Sequence, residues 1–173
     1  MFQTETIIKG FGVIGNCVNM KLKSLLPIGL AGALAFGAAA GEPRGFRNNN
    51  PGNIRSNTIK WKGAVGTDGQ FVKFATPEDG FRAMARILRT YNAKYKANTV
   101  SEIINRWSPA SENPTPNYID FVAKKLGKNA NDKIDIGNNV ELSKLIRAMI
   151  EFENGKTKFP YDDATVMRGV EKA

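Results

Sequence analysis

The sequence predicts an α+β fold: a mostly helical domain with a small antiparallel β-lobe, preceded by an N-terminal hydrophobic helix. Four segments after residue 76 carry apolar residues at helical spacing. Residues 52–75 mix glycines with aromatic and β-branched residues, as short strands do. With 173 residues, the chain has room for one domain with a real core and a short additional segment. We therefore divide it into an N-terminal hydrophobic segment, 1–41, and a domain, 42–173.

The N-terminal segment has the parts of a secretory signal. Leu25–Gly41 is uncharged and rich in alanine and glycine, and Lys21 and Lys23 precede it. The run is short for a membrane-spanning helix. Three interpretations stay open: a cleaved signal, a retained membrane anchor over residues 20–41, or a small-residue helix that packs against other proteins of an assembly. The first two direct the domain to, or across, a membrane.

The domain begins with a turn-rich segment and the β-lobe. Asn48–Ile54 is dense in residues that tolerate unusual backbone angles. Residues 52–75 then predict two or three short antiparallel strands. For their aromatic residues, Trp61, Phe71 and Phe74, two roles stay open: they form the core of the β-lobe, which is favoured, or they stack on sugar rings.

Helix boundaries are marked by capping residues. Thr76, followed by proline and two acids, begins the first long helix. Thr99 and Glu102 form a capping box at the start of the second. The third follows Thr115 and ends at Gly127, and the fourth is expected to have Asn139 as its cap. The apolar positions that define these helices are Phe81, Met84, Ala85, Leu88 and Tyr91; Val100, Ile103, Ile104 and Trp107; Ile119, Val122, Ala123 and Leu126; and Leu142, Leu145, Ile146, Met149 and Ile150. A short terminal helix is predicted after Lys156.

The formal net charge of +9, from 25 Lys and Arg against 16 Asp and Glu, favours an anionic partner. Nucleic acid, anionic lipid and the carboxylate-rich bacterial cell wall all qualify. Arg82, Arg86 and Arg89 recur along one helix and are interpreted as a solvated basic face. Nucleic acid is the less favoured partner, because the chain has no recognition-helix, stacking-sheet or zinc signature.

The chain contains no histidine, and this excludes several classes of enzyme. Ser-His-Asp and Cys-His catalysis need an imidazole base, and the usual zinc hydrolases need histidine ligands. The only cysteine, Cys17, has neither an activating histidine nor a disulfide partner. Any chemistry must use carboxylates, amides, tyrosines and the backbone, without a metal or an organic cofactor. Glycoside cleavage is the common reaction class that needs nothing else.

Glu153 is the best candidate for a catalytic acid. It follows Leu142 by eleven residues, which places it on the apolar face of the fourth helix, whereas Glu151 projects to the opposite side. Desolvation disfavours the charged form of a carboxylate, so an acid there is expected to hold a proton and to deliver it to a leaving oxygen. The alternative is that the helix end frays and Glu153 turns to solvent.

Three segments carry a resemblance to peptidoglycan glycosidases. The helix end Ile150–Gly155 resembles the end of the catalytic helix in lysozyme-like transglycosylases and glucosaminidases. Asn49–Arg55 with Trp61–Gly63 resembles the start of the β-lobe in flagellar-type glucosaminidases, and Tyr118 resembles the tyrosine that lines their cleft. The resemblance implies a lysozyme-like fold and peptidoglycan as the substrate.

The order of these segments departs from that of the glucosaminidases. Their acid helix precedes the β-lobe, whereas Glu153 comes almost last. A circular permutation would reconcile the two orders, because the ends of compact domains often lie close together. A rival assignment places the acid at Glu42, which follows an apolar run and precedes the β-lobe.

A second resemblance covers nearly everything from Arg44 to Gly155. The pattern RGFRNNNPGNIR at Arg44–Arg55, with the segments Gly80–Ala83 and Arg106–Thr115, resembles a family of phage and prophage proteins. Members of that family are labelled as virion structural proteins or as suspected cell-wall lytic enzymes. The resemblance implies a virion protein whose partners include other virion proteins.

These resemblances define the expected site. Glu153 would protonate the glycosidic oxygen, and Glu112, in a loop between two prolines, would be the second acid; its alternative role is to cap a helix or brace the loop. The expected substrate contacts are Asn49, Asn50, Asn53 and Tyr118. The asparagines either bind N-acetyl groups of the glycan or only shape the turn.

The sequence therefore predicts a membrane-associated virion enzyme that cleaves peptidoglycan glycan strands in the host periplasm, during genome delivery or at lysis. The alternative is a non-enzymatic, basic, membrane-associated virion protein that has a structural or DNA-binding role.

Overall fold

The computed structural model describes residues 41–109, 115–155 and 159–173. Within these ranges the chain has an α+β architecture with six helices and one two-stranded antiparallel sheet. The predicted N-terminal helix lies outside them, and none of the described helices has the length and apolar content needed to cross a membrane. In chain order the elements are α1 (Arg44–Arg47), β1 (Ala64–Thr67), β2 (Val72–Phe74), α2 (Pro77–Tyr95), α3 (Val100–Trp107), α4 (Thr115–Leu126), α5 (Asn139–Glu153) and α6 (Asp163–Glu171).

The helices begin close to the residues at which the sequence predicts their starts. Thr76 caps α2, and Thr99 forms the predicted capping box with Glu102 at the start of α3. The predicted cap of α5 is wrong by one residue: Asn138, and not Asn139, accepts the backbone N–H groups of the first turn. The short terminal helix is confirmed as α6.

One hydrophobic core joins all the long helices to the β-lobe. The predicted apolar faces of α2, α3 and α5 are buried in it. Full burial of one such aliphatic or aromatic side chain contributes roughly 1.5–3 kcal/mol. The largest side chains that are fully buried include Trp107, Tyr118, Phe71, Phe81 and Met84. The core therefore holds the C-terminal end of α5 against α3, α4 and the start of the β-lobe.

The β-lobe (residues 52–75) contains two strands rather than three. β1 pairs with β2 in antiparallel register, and an isolated bridge between Arg55 and Phe71 extends the pairing. Phe71 and Phe74 are both buried, as expected, and Trp61 is partly buried against the hydrophobic core that contains Phe74.

The arginines of α2 do not form the solvated basic face that the sequence predicts. Arg82 Nε donates to the backbone carbonyl of Lys172 at 2.9 Å, and Arg89 Nη1 donates to that of Ala173 at 3.0 Å. Only Arg86 is exposed. Carbonyl groups at a helix C-terminus carry partial negative charge, so the two arginines attach α6 to α2. Gly169 permits the close contact, because a Cβ there would lie 2.5 Å from Cβ of Phe81.

Candidate active site around Glu153

Glu153 is the last residue of α5, and its carboxylate joins three helices. Its Oε1 accepts a hydrogen bond of 2.7 Å from the indole Nε1 of Trp107, at the end of α3. The same oxygen accepts one of 3.1 Å from the hydroxyl of Tyr118, in α4. Glu153 is half-buried. The predicted location on the inner side of the helix end is thus observed, and the side chain is held in a defined orientation.

The two donors are deeply buried. Trp107 is 0% exposed and Tyr118 is 2% exposed. The Tyr118 ring stacks on Phe152 with 4.0 Å between centroids, and its hydroxyl also lies 3.3 Å from the carbonyl of Met149. Burial, and then the negative charge of Glu153, raise the pKa of Tyr118 well above its ordinary value. Tyr118 is therefore a neutral hydrogen-bond donor.

Burial also changes the role expected of Tyr118. The resemblance implies a tyrosine that lines the cleft and contacts substrate, but the ring is enclosed by α4 and α5 and its hydroxyl faces Glu153. Tyr118 is therefore too deeply buried for the direct substrate contact that the resemblance implies, and it contacts Glu153 instead.

Asn50 is a structural residue of the asparagine-rich turn. Its side chain is fully buried, and its Nδ2 donates to the carbonyls of Ile54 and Val72, both at 2.9 Å. Its Oδ1 accepts the backbone N–H of Ile54. All of these groups belong to the protein backbone, so Asn50 shapes the turn and is not available to a glycan.

Asn49 and Asn53 also shape this turn, since both have positive φ angles, of 47° and 50°. Nδ2 of Asn49 lies 3.2 Å from the carbonyls of Phe74 and Ala75, which attaches the turn to the end of β2. Asn53 is 5% exposed, and its Nδ2 is 3.5 Å from the carbonyl of Glu153. Of the three predicted asparagines, Asn53 is therefore the one that contacts Glu153, through the backbone carbonyl and not the carboxylate.

Asn154 fixes the end of α5 to the turn. Its Nδ2 donates to the carbonyl of Pro51 at 2.9 Å, across 103 residues of sequence. Gly45 of α1 packs on the same group, because a Cβ there would lie 2.7 Å from Oδ1 of Asn154. The candidate acid and the asparagine-rich turn are thus adjacent in space although they are distant in the chain.

The other candidate acids differ from Glu153 in their surroundings. Glu42 is exposed at the beginning of the described domain. Glu112 lies outside the described residues. Glu151 projects away from the site, and its Oε2 lies 2.6 Å from Nζ of Lys125. The described residues contain no cluster of three or more side chains suited to hold a metal ion.

Sequence reasoning assigned Trp107 to the core and missed its contact with Glu153. One signal was present: a buried indole N–H normally has a hydrogen-bond acceptor, and acidic side chains are the strongest acceptors on nearby helix ends. Which acid accepts the bond depends on the packing of α3 against α5, and helical periodicity does not reveal it.

The comparison with known proteins identifies a phage relative. The chain is 45% identical over 125 residues to Protein P5 of Pseudoalteromonas phage PM2, a match that covers 69% of this chain and 76% of the relative. No established family model matches the sequence. The predicted relationship to phage proteins is therefore confirmed, and the chain belongs to the family of Protein P5 of phage PM2.

Proposed function

We propose that this protein is a virion-associated phage enzyme that cleaves the glycan strands of peptidoglycan, with a lysozyme-like domain and Glu153 as its general acid. One observation carries the proposal: a half-buried carboxylate at a helix end is held by two buried donors, beside the turn that begins the β-lobe. The enzyme acts in the host periplasm while the phage genome is delivered, or at lysis.

In the proposed mechanism, protonated Glu153 donates its proton to the glycosidic oxygen as the C–O bond breaks. The carboxylate left behind is stabilised by the hydrogen bonds from Trp107 and Tyr118, which are already in place and need no reorganisation. Water, or a hydroxyl of the sugar itself, then adds to the anomeric carbon, and its proton passes to the Glu153 carboxylate, which restores the acid. Glu112 is the proposed second acid, which stabilises the charged intermediate.

The charge of the protein suits this substrate. Peptidoglycan carries many carboxylates, and a net charge of +9 favours association with such a polymer. A virion location would bring the enzyme to the wall of the host cell at the start of infection.

A second candidate is a non-enzymatic, basic virion protein with a structural or DNA-binding role. The observation that favours it is that Glu153 also serves the fold, since it satisfies the buried indole of Trp107 and the hydroxyl of Tyr118. A carboxylate that is required only for folding would bring these helices together without any chemistry.

Incubation of the purified full chain with intact peptidoglycan sacculi separates the two candidates. The enzyme is expected to clear a peptidoglycan zymogram and to release soluble glycan fragments, which mass spectrometry identifies by their new chain ends. Sacculi that yield no fragments at any pH where the protein stays folded would overturn the enzymatic proposal.

A further inference from the structure

The β-lobe exposes apolar side chains on a strand that has a free edge. All four residues of β1 are exposed, and within the described part of the chain β1 pairs only with β2. Val65 is 67% exposed, the highest value among the large hydrophobic residues of the described chain, and Ile59 in the preceding segment is 40% exposed. Single exposed apolar residues are common on soluble proteins, so their meaning depends on the charges around them.

The charges of the β-lobe are almost all positive. Residues 52–75 contain Arg55 and three lysines but only one acid, Asp68. Asp68 is neutralised by Arg44 of α1, whose Nε lies 2.6 Å from Oδ2. The three lysines are exposed, and no ion pair within the described residues involves them: Lys60, Lys62 and Lys73. The β-lobe therefore presents an excess of positive charge around its apolar residues, with the carboxylate of Asp79 from α2 packed against Gly63 as the one further acid beside it among the described residues.

The shape of β1 disfavours an extended peptide as the partner. The register shifts between Ala64 and Gly66, so Val65 lies in a bulge. Bulges and lysines on an edge strand hinder the addition of another strand. A partner with a broad surface that contacts the exposed side chains fits this geometry better than a peptide that must form a regular hydrogen-bonded ladder with β1.

A rigid base supports the exposed part of the β-lobe. Val72 and Phe74 of β2 are buried in the core on either side of the exposed Lys73. Trp61 lies between Lys60 and Lys62 in the sequence and is partly buried against the core, and its buried Nε1 has no hydrogen-bond partner within the described residues. Exposed aliphatic side chains among lysines are the composition that suits the boundary between lipid head groups and acyl chains.

We propose that the β-lobe binds the surface of an anionic lipid bilayer. Val65 and Ile59 enter the head-group region, and Lys60, Lys62 and Lys73 contact lipid phosphates. A glycan or a nucleic-acid backbone offers the lysines a partner but offers the two aliphatic side chains none. The proposal is independent of any chemistry at Glu153.

Vesicle co-sedimentation of the full chain tests this proposal, with phosphatidylcholine vesicles that contain or lack phosphatidylglycerol. The variant K60Q/K62Q/K73Q is expected to lose about a hundredfold in partitioning to anionic vesicles, since each lysine near such a surface contributes about fivefold. The control K94Q/K124Q/K144Q removes the same charge from exposed sites on the helices and is expected to lose less than about fivefold. Equal losses in the two variants would overturn the proposal.

Quenching of tryptophan fluorescence by brominated phosphatidylglycerol separates the β-lobe from the N-terminal hydrophobic segment. Trp61 is expected to be quenched on binding, and the quenching is expected to disappear in Trp61→Phe, because Trp107 is buried in the core. Vesicle-bound protein without this quenching would overturn the proposal. The proposal would also be overturned if K60Q/K62Q/K73Q lost affinity for sacculi or DNA but kept its affinity for vesicles. Glu153→Gln is expected to leave vesicle binding unchanged, so the outcome is separable from that of the proposed enzymatic activity.

Discussion

Nε1 of Trp107 and Oε1 of Glu153 are joined by a 2.7 Å hydrogen bond that links the end of α3 to the end of α5. The bond satisfies an indole that is fully enclosed by the core, and it fixes the direction of the carboxylate. A buried polar group that loses its partner costs about 1–3 kcal/mol. The same contact therefore serves both the stability of the domain and the proposed chemistry.

Replacement of Tyr118 by phenylalanine tests the second donor. Tyr118→Phe keeps the ring on Phe152 but removes the hydroxyl, so the free energy of unfolding is expected to fall by about 1 kcal/mol in urea denaturation. The rate of glycan release is expected to fall as well, because Glu153 is less firmly oriented. Tyr95→Phe, at an exposed ring that stacks on Arg106, is the control and is expected to change neither quantity. An unchanged rate in Tyr118→Phe would remove Tyr118 from the proposed mechanism.

Stability is expected to decline at alkaline pH. Burial raises the pKa of Tyr91 to about 12 and that of Tyr161 to about 12, and the pKa of Tyr118 is also raised. Because an unfolded tyrosine titrates near a pH of about 10, the folded state keeps these protons longer than the unfolded state does. The contribution of these tyrosines to the free energy of unfolding is complete below that pH and is lost as the pH rises toward 12. Melting temperatures measured across this pH interval should fall. The fall should be shallower in Tyr118→Phe than in the wild type. An equal dependence of melting temperature on pH in the two proteins would contradict the assignment to Tyr118.

The attachment of α6 is expected to depend on Arg89. Arg89→Ala removes the hydrogen bonds to Ala173 and Asn139, so the free energy of unfolding should fall by about 2 kcal/mol. Hydrogen exchange should accelerate in α6 before it does so in α3. Arg86→Ala, on the exposed side of the same helix, is the matched control and should stay within about 0.5 kcal/mol of wild type. A similar fall in the free energy of unfolding of Arg89→Ala and Arg86→Ala would show that the contact with α6 contributes little to stability.

The helices could be predicted because their determinants are local. Thr76 and Thr99 accept hydrogen bonds from residues only three positions away, and the apolar stripes repeat within a few turns. The end of α5 at Glu153 followed from Asn154-Gly155 and is confirmed. The cap at Asn138 was missed because two consecutive asparagines satisfy the same local rule.

The long-range contacts could not be predicted. Arg82 and Arg89 bond to backbone carbonyls, which every residue has, so no pattern in the sequence marks the partner. The burial of Asn50 depends on how the turn folds back on β2 through the carbonyl of Val72. Trp107 and Tyr118 meet Glu153 only after three helices have packed. In each case the determinant is tertiary packing rather than local pattern.

The most direct test of the proposed function compares Glu153→Gln with Glu151→Gln for glycan release from sacculi. Glutamine at position 153 can still accept the hydrogen bonds from Trp107 and Tyr118 but cannot supply the carboxyl proton, whereas Glu151 is paired with Lys125 and Arg147 away from the site. We expect Glu153→Gln to remain folded and to lose at least about a hundredfold in rate, with Glu151→Gln close to wild type. Undiminished release by a folded Glu153→Gln protein would contradict the assignment of Glu153 as the acid.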